Sequence, residues 1–199
     1  MSTDLVMERR EAIRRVAALL GGAALVGSSG LLAACGKERP AAGAVGAFSA
    51  ADVALLDEVA ETILPATDTP GAKAARTGAF MALMVSDTYK PEDAAIFRTG
   101  LGTLDAAVRA AGGTTFVAAE PSLRTKVLEA LDAEQHAWMK DKATDAPTHW
   151  FRMVKELALT GYFTSEIGMT QALRYVESPG RFDPCVPYTP GDRIWAPHA

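Results

Sequence analysis

The chain has 199 residues, 49% of them hydrophobic and 22% charged, with a formal net charge of −4. That composition belongs to an ordinary globular protein and excludes a disordered chain or a long coiled coil. The acidic balance also argues against nucleic acid as a partner.

In chain order, Arg9, Arg10, Arg14 and Arg15 precede an uncharged run from Val16 to Ala34. Gly21, Gly22, Gly27, Ser28, Ser29 and Gly30 make this run less apolar and less helical than a membrane anchor. Arg9-Arg10-Glu11-Ala12-Ile13-Arg14 resembles the twin-arginine motif, an address for proteins exported after folding, with Ala12 in place of the usual Phe. Leu32-Ala33-Ala34-Cys35 resembles a lipobox, in which cleavage leaves an acylated Cys35 as the new N-terminus. Residues 1–34 are therefore expected to be an export signal. The mature protein is expected on the periplasmic side of a bacterial membrane, anchored through Cys35, with Gly36 favouring the outer membrane. Residues 35–47, rich in Gly, Ala and Pro, read as a flexible tether.

Residues 48–178 read as one helical domain. Ser49-Ala50-Ala51-Asp52 looks like a helix N-cap, and Leu56, Val59, Ala60 and Ile63 follow at helical spacing, predicting a helix over Ala50 to Leu64. Pro65, Asp68, Pro70 and Gly71 form a turn, and Ala72 to Asp87 predicts a second helix with Phe80, Leu83 and Met84 on one face. Pro91 opens a third through Phe97, Leu101, Leu104, Val108 and Ala111, which Gly112-Gly113 ends. A fourth starts at Pro121 with Leu123, Val127, Leu131 and Trp138 as its buried stripe. A fifth runs from Pro147 through Phe151, Val154 and Ala158, and a sixth from about Ser165 to Val176. No useful stretch alternates with strand periodicity, so the fold class is all-α, a bundle-like domain of about six helices. Residues 179–199 carry Pro179, Pro184, Pro187, Pro190 and Pro197 with Phe182, Tyr188 and Trp195. They form an irregular tail that packs either on its own bundle or across another protein.

Chemistry is sparse. His136 and His149 flank a loop, His198 is terminal, and no Cys or carboxylate stands beside them at ligand spacing, so no metal site is expected. Glu129, Asp132 and Glu134 read as a solvated helix face. Gly100-Leu101-Gly102 lacks the third glycine and preceding strand of a dinucleotide fingerprint and reads as a helix interior or close-packing point. No haem-attachment motif or cluster-binding cysteine set is present, and Thr164-Ser165-Glu166 lacks a nucleophile elbow, so Thr164 or Ser165 reads as a helix cap. No catalytic or cofactor-binding residue is therefore expected in this chain. Acylation of Cys35 would leave Cys185 as the one mature thiol in an oxidising compartment, which points to a disulfide with a partner subunit or a reactive thiol, with a small buried residue as the plain alternative.

Three regions carry a family resemblance: Met7-Glu8-Arg9-Arg10-Glu11-Ala12; Phe48-Ser49 through Ile63-Leu64-Pro65 with Thr69-Pro70-Gly71-Ala72; and Gly161-Tyr162-Phe163-Thr164-Ser165-Glu166-Ile167-Gly168 running into the tail. The last continues as Ala172-Leu173-Arg174-Tyr175-Val176, Pro179-Gly180 and Cys185-Val186-Pro187-Tyr188, ending near Trp195. In these the sequence resembles the gluconate 2-dehydrogenase subunit 3 family, small subunits of membrane-associated, flavin-dependent sugar and polyol dehydrogenases. The resemblance implies an accessory, non-catalytic role in maturation and export of a large subunit. That partner is of the glucose-methanol-choline oxidoreductase type and holds FAD, and a cytochrome c often accepts the electrons. Tyr162, Phe163, Tyr175, Tyr188 and Trp195 are the expected anchors for the partner. The competing functions are a free-standing periplasmic lipoprotein that binds a small ligand between its helices, and a hydrolase using His136 or His149 as base.

Overall fold

The computed structural model describes residues 43–178, 180–181 and 185–196. The chain divides into two compact units, Met1–Arg39 and Pro40–Ala199, and every described residue lies in the second. The expected export signal with Arg9 and Arg10, the expected acylation site Cys35, most of the expected tether, and Phe182 and His198 of the tail lie outside the described residues.

Six α-helices are described: α1 (Ala50–Ile63), α2 (Thr77–Asp87), α3 (Pro91–Leu101), α4 (Leu104–Ala110), α5 (Pro121–Asp141) and α6 (Trp150–Phe163), followed by a π-helical turn (Gly168–Ala172). No strand occurs among the described residues, only isolated bridges. The fold is all-α, as the periodicity predicts. No helix among the described residues is long and apolar enough to cross a membrane.

Local chemistry sets the helix starts. Ser49 caps α1 through its hydroxyl, which accepts from Asp52 N–H, while the Asp52 carboxylate accepts from Ser49 N–H at 2.9 Å. This reciprocal pair satisfies two amides that a helix N-terminus leaves without partners. Pro91 and Pro121 open α3 and α5, where a missing N–H costs nothing. His149 caps α6, its Nδ1 accepting from Phe151 N–H at 3.2 Å.

The core forms where α1 and α2 pack side by side and α6 lies against α1, α2, α3 and α5. Leu56, Val59, Met81, Val85, Phe97, Leu104, Phe116, Phe151 and Val154 are buried at its centre. Gly100 lets α3 approach α6, because a Cβ there would collide with the Trp150 ring; the close-packing expectation for this glycine fits that contact.

Several expectations need correction. α2 starts at Thr77 rather than Ala72, since residues 72–76 form a turn in which Arg76 sits at φ 55°. It buries Thr77, Gly78, Met81, Ala82 and Val85, leaving Leu83 exposed. The single helix expected from Pro91 to Ala111 is broken at Gly102-Thr103, where the Thr103 hydroxyl donates to the Gly100 carbonyl at 2.6 Å. Trp138 is exposed, its indole N–H donating to the Pro147 carbonyl at 3.1 Å, and the stripe of α5 runs instead through Val127, Leu128, Leu131 and Gln135. α6 begins at Trp150, not at Pro147, and the sixth predicted helix ends at Ala172, short of Val176.

Charge ties the helices from outside the core. Glu58 of α1 pairs with Lys73 of the following loop and with Arg124 of α5. Burial alone would raise the Glu58 carboxyl, but the hydrogen bonds and charges of Lys73 and Arg124 outweigh it and hold the group below its ordinary value of 4.5. A depressed folded-state value adds stability that is complete above the unfolded value and is lost as pH falls through the folded one. Glu58→Gln is expected to cost about 2 kcal/mol at neutral pH. The gap from the parent protein should close on acidification below the ordinary carboxylate range, as measured by urea unfolding across pH. A gap that stays constant down to acid pH would mean that the charge of Glu58 is not what holds these elements.

Candidate functional site

The loop between α1 and α2 is held by acceptors that α1 carries. Glu61 accepts from Ala66 N–H at 3.1 Å and from Lys73 N–H at 2.7 Å, so its carboxylate sits inside the loop. Gly71 makes room for it, since a Cβ there would strike both Glu61 carboxylate oxygens. Asp57 accepts from Gly78 N–H at 2.8 Å, capping the start of α2 from a neighbouring helix. Burial pushes the Asp57 carboxyl up, against the opposing pull of the Gly78 amide and Lys73.

From the far end of the sequence, the Tyr162 hydroxyl donates to the Pro70 carbonyl at 2.6 Å. Two of the stretches that carry the family likeness, 69–72 and 161–168, therefore meet in space across 92 positions of sequence. Tyr162 is 4% exposed. It is a structural tie, and its expected role as a partner anchor is corrected accordingly. Phe163 is half-buried and packs edge-on against Tyr162.

Beyond α6 the Ser165 hydroxyl donates to the Tyr162 carbonyl at 2.6 Å and accepts from Gly168 N–H at 3.0 Å, the capping role expected of it. The π-helical turn then closes with Leu173 N–H on the Gly168 carbonyl, and the backbone becomes extended. The returning tail pairs with it. Arg174 N–H donates to the Ile194 carbonyl at 2.9 Å, and Ala196 N–H donates to the Arg174 carbonyl at 2.8 Å, a parallel bridge. Arg193 Nη1 donates to the carbonyls of Thr170, Gln171 and Leu173, satisfying acceptors that the end of a helix leaves open. The Arg174 guanidinium lies over the Trp195 ring at 4.5 Å, a cation–π contact, and Ala196 is buried. Thr189 and Asp192 close the preceding turn through two mutual hydrogen bonds.

Residues 193–196 of the tail therefore lie as a strap on its own domain, yet the described tail leaves much apolar surface in solvent. Of the ten large hydrophobic side chains exposed among the described residues, Tyr175, Val176, Val186, Tyr188, Ile194 and Trp195 fall between positions 175 and 195. Cys185 is also exposed here.

The other expected groups have local occupations. His136 approaches Asp132 at 3.7 Å on α5, and His149 Nε2 lies 3.5 Å from Glu134 while its other nitrogen caps α6. No group of three His, Cys, Asp or Glu among the described residues is placed to hold a metal. Asp132 is not merely solvated: it accepts from Lys155 at 2.7 Å and ties α5 to α6, and that hydrogen bond lowers its carboxyl. A cavity of about 230 Å³ beside this pair is lined by Thr62, Ile63, Leu128, Asp132, Phe151 and Lys155. It is smaller than the open clefts of about 420 Å³ beside Trp150 and about 340 Å³ beside Tyr89.

Arg193→Ala is expected to loosen the strap while the bundle stays folded. Hydrogen exchange at the Arg174 and Ala196 amides should speed up, with core amides of α1 and α6 unchanged. Unchanged protection at both amides would mean that the backbone bridge holds without the arginine.

No curated protein and no solved structure matches the chain. A family model described as gluconate 2-dehydrogenase subunit 3 matches residues 50–180, which takes in all six helices, the π-helical turn and the first leg of the strap. The chain belongs to the gluconate 2-dehydrogenase subunit 3 family, accessory subunits of a dehydrogenase complex.

Proposed function

We propose that this chain is the non-catalytic small subunit of a flavin-dependent sugar or polyol dehydrogenase, serving maturation, twin-arginine export and membrane tethering of the large subunit. The observation that carries this reading is the family match over 50–180, on a domain whose exposed apolar side chains concentrate in one segment. The large subunit is of the glucose-methanol-choline type and holds the FAD, while this chain holds no cofactor. A cytochrome c is the electron acceptor of the complex. Arg9 and Arg10 address the complex for export after folding, which suits a partner that loads its flavin in the cytoplasm. Cys35 then keeps the exported complex on the periplasmic side of a membrane through its acyl chains, at about 0.8 kcal/mol per buried methylene. Cys185, exposed in the tail, is the residue assigned to a disulfide with the large subunit.

Replacing both arginines, Arg9→Lys with Arg10→Lys, is expected to drop periplasmic dehydrogenase activity to the level of a strain lacking this chain, with the flavoprotein retained in the cytoplasm. Cys35→Ala, by contrast, should leave export of the large subunit intact and move the complex from the membrane to the soluble periplasmic fraction. Full periplasmic activity in the double lysine variant would sink the carriage role.

A further inference from the structure

The segment leading into the domain and the tail leaving it are attached at different ends of the helix pair α1–α2. At the entry, Ala47 N–H donates to the hydroxyl of Ser86 near the end of α2, and Phe48 packs edge-on against Phe97 under the Arg98 guanidinium. These contacts lie where α1 begins. The strap follows the end of α6, which the Tyr162–Pro70 hydrogen bond fixes beside the loop where α1 finishes and α2 starts. The 14 residues of α1, about 21 Å of helix, run from the entry contacts at its start to the loop that Tyr162 reaches at its end.

The strap is built to present side chains. Its backbone is held at residues 193–196 by the Arg174 bridge and by Arg193, so Ile194, 65% exposed, and Trp195, 48% exposed, are displayed from a fixed frame, and Tyr188, 65% exposed, precedes the Thr189–Asp192 turn that leads into it. Fixing the backbone beforehand lowers the ordering cost of association. Together with Tyr175, Val176 and Val186, these side chains expose roughly 700 Å², close to the ~800 Å² that each partner contributes to a standard protein interface. Aromatic and branched apolar side chains of this kind are what such interfaces bury at their centres.

We infer that the outer face of the strap, centred on Tyr188, Ile194 and Trp195, is where the large subunit of the dehydrogenase docks, at the end of the domain away from the chain entry at Ala47 and Phe48. The inference rests on the accessory-subunit reading, and it adds both the surface and the orientation. The partner offers apolar pockets for these three side chains and sits at the end of the domain that carries the α1–α2 loop rather than at the chain entry by Ala47 and Phe48.

The test is co-expression of the full-length chain with the large subunit, purification through this chain after gentle detergent extraction, and measurement of flavin absorbance per mole of small subunit. Tyr188→Ala combined with Ile194→Ser changes two side chains that the fold does not bury. It should reduce recovered flavin at least about tenfold, equivalent to ~1.4 kcal/mol or more. Leu83→Ser, at an exposed position on α2, should recover as much flavin as the parent protein. Full flavin recovery by the double variant would overturn the docking surface while leaving the accessory role in place. A parent protein that brings down no flavoprotein would overturn both. A double variant that keeps its flavin but loses self-association in size-exclusion chromatography would assign the strap to a second copy of this chain, against the inference.

Discussion

Three carboxylates on α1 hold the arrangement on which the rest of the domain depends. Asp57 caps α2, Glu58 links Lys73 to Arg124, and Glu61 fills the loop between them. That loop carries Pro70 and Gly71 and must make a tight turn without regular backbone pairing. Its exposed amides at Ala66 and Lys73 would otherwise turn to water, and fixed acceptors on α1 hold the loop to one path instead. By supplying acceptors from a helix that is already rigid, α1 fixes the loop, the start of α2 and the start of α5 together.

Arg124 extends this network into the next connection. Its Nε and Nη2 donate to the carbonyls of Ala119 and Val117, and its guanidinium lies over the buried Phe116 ring. Asp105 accepts from Phe116 N–H at 2.8 Å, so the loop that brings Phe116 into the core is held from α4 and from α5. The opposite shifts of Asp57 and Glu58 follow from their surroundings: Asp57 is desolvated with a backbone amide for its main partner, whereas Glu58 has two cations. One half-buried acid thus opposes stability as it ionises with rising pH, while its neighbour supports it.

Helix positions were legible in the sequence because their punctuation is local. The Ser49–Asp52 cap, Pro91 and Pro121 mark starts that the structure keeps. Faces were less legible. α2 carries apolar residues almost all round, so periodicity cannot say which side is buried; Gly78, small enough for α1 to come close, decides it. Trp138 looked like core because it is large and apolar, but an indole with a polar N–H can lie across a surface and bond a loop carbonyl. Tyr162 carried the reverse signal. An aromatic beside a family motif suggested a partner anchor, and only its pairing with Pro70, far away in sequence, shows that the motif is an internal tie. The early end of the sixth helix has the same origin, since the bridge from Arg174 to Ile194 and Ala196 competes for backbone that local pattern assigns to a helix.

The strap therefore combines two properties that usually exclude each other. An extended proline-rich segment with many exposed apolar groups would ordinarily be loose, and loose segments lose binding free energy when they are ordered by a partner. Here the cost of ordering is met within the domain: one arginine satisfies the carbonyls of the π-helical turn, one residue is bridged on both sides, and Ala196 is buried as the only fully sheltered side chain of the described tail. None of these contacts uses the outward faces of Tyr188 or Ile194. Trp195 belongs to both sets, since its ring also lies under Arg174, but Tyr188 and Ile194 can vary in sequence without loss of the frame that presents them.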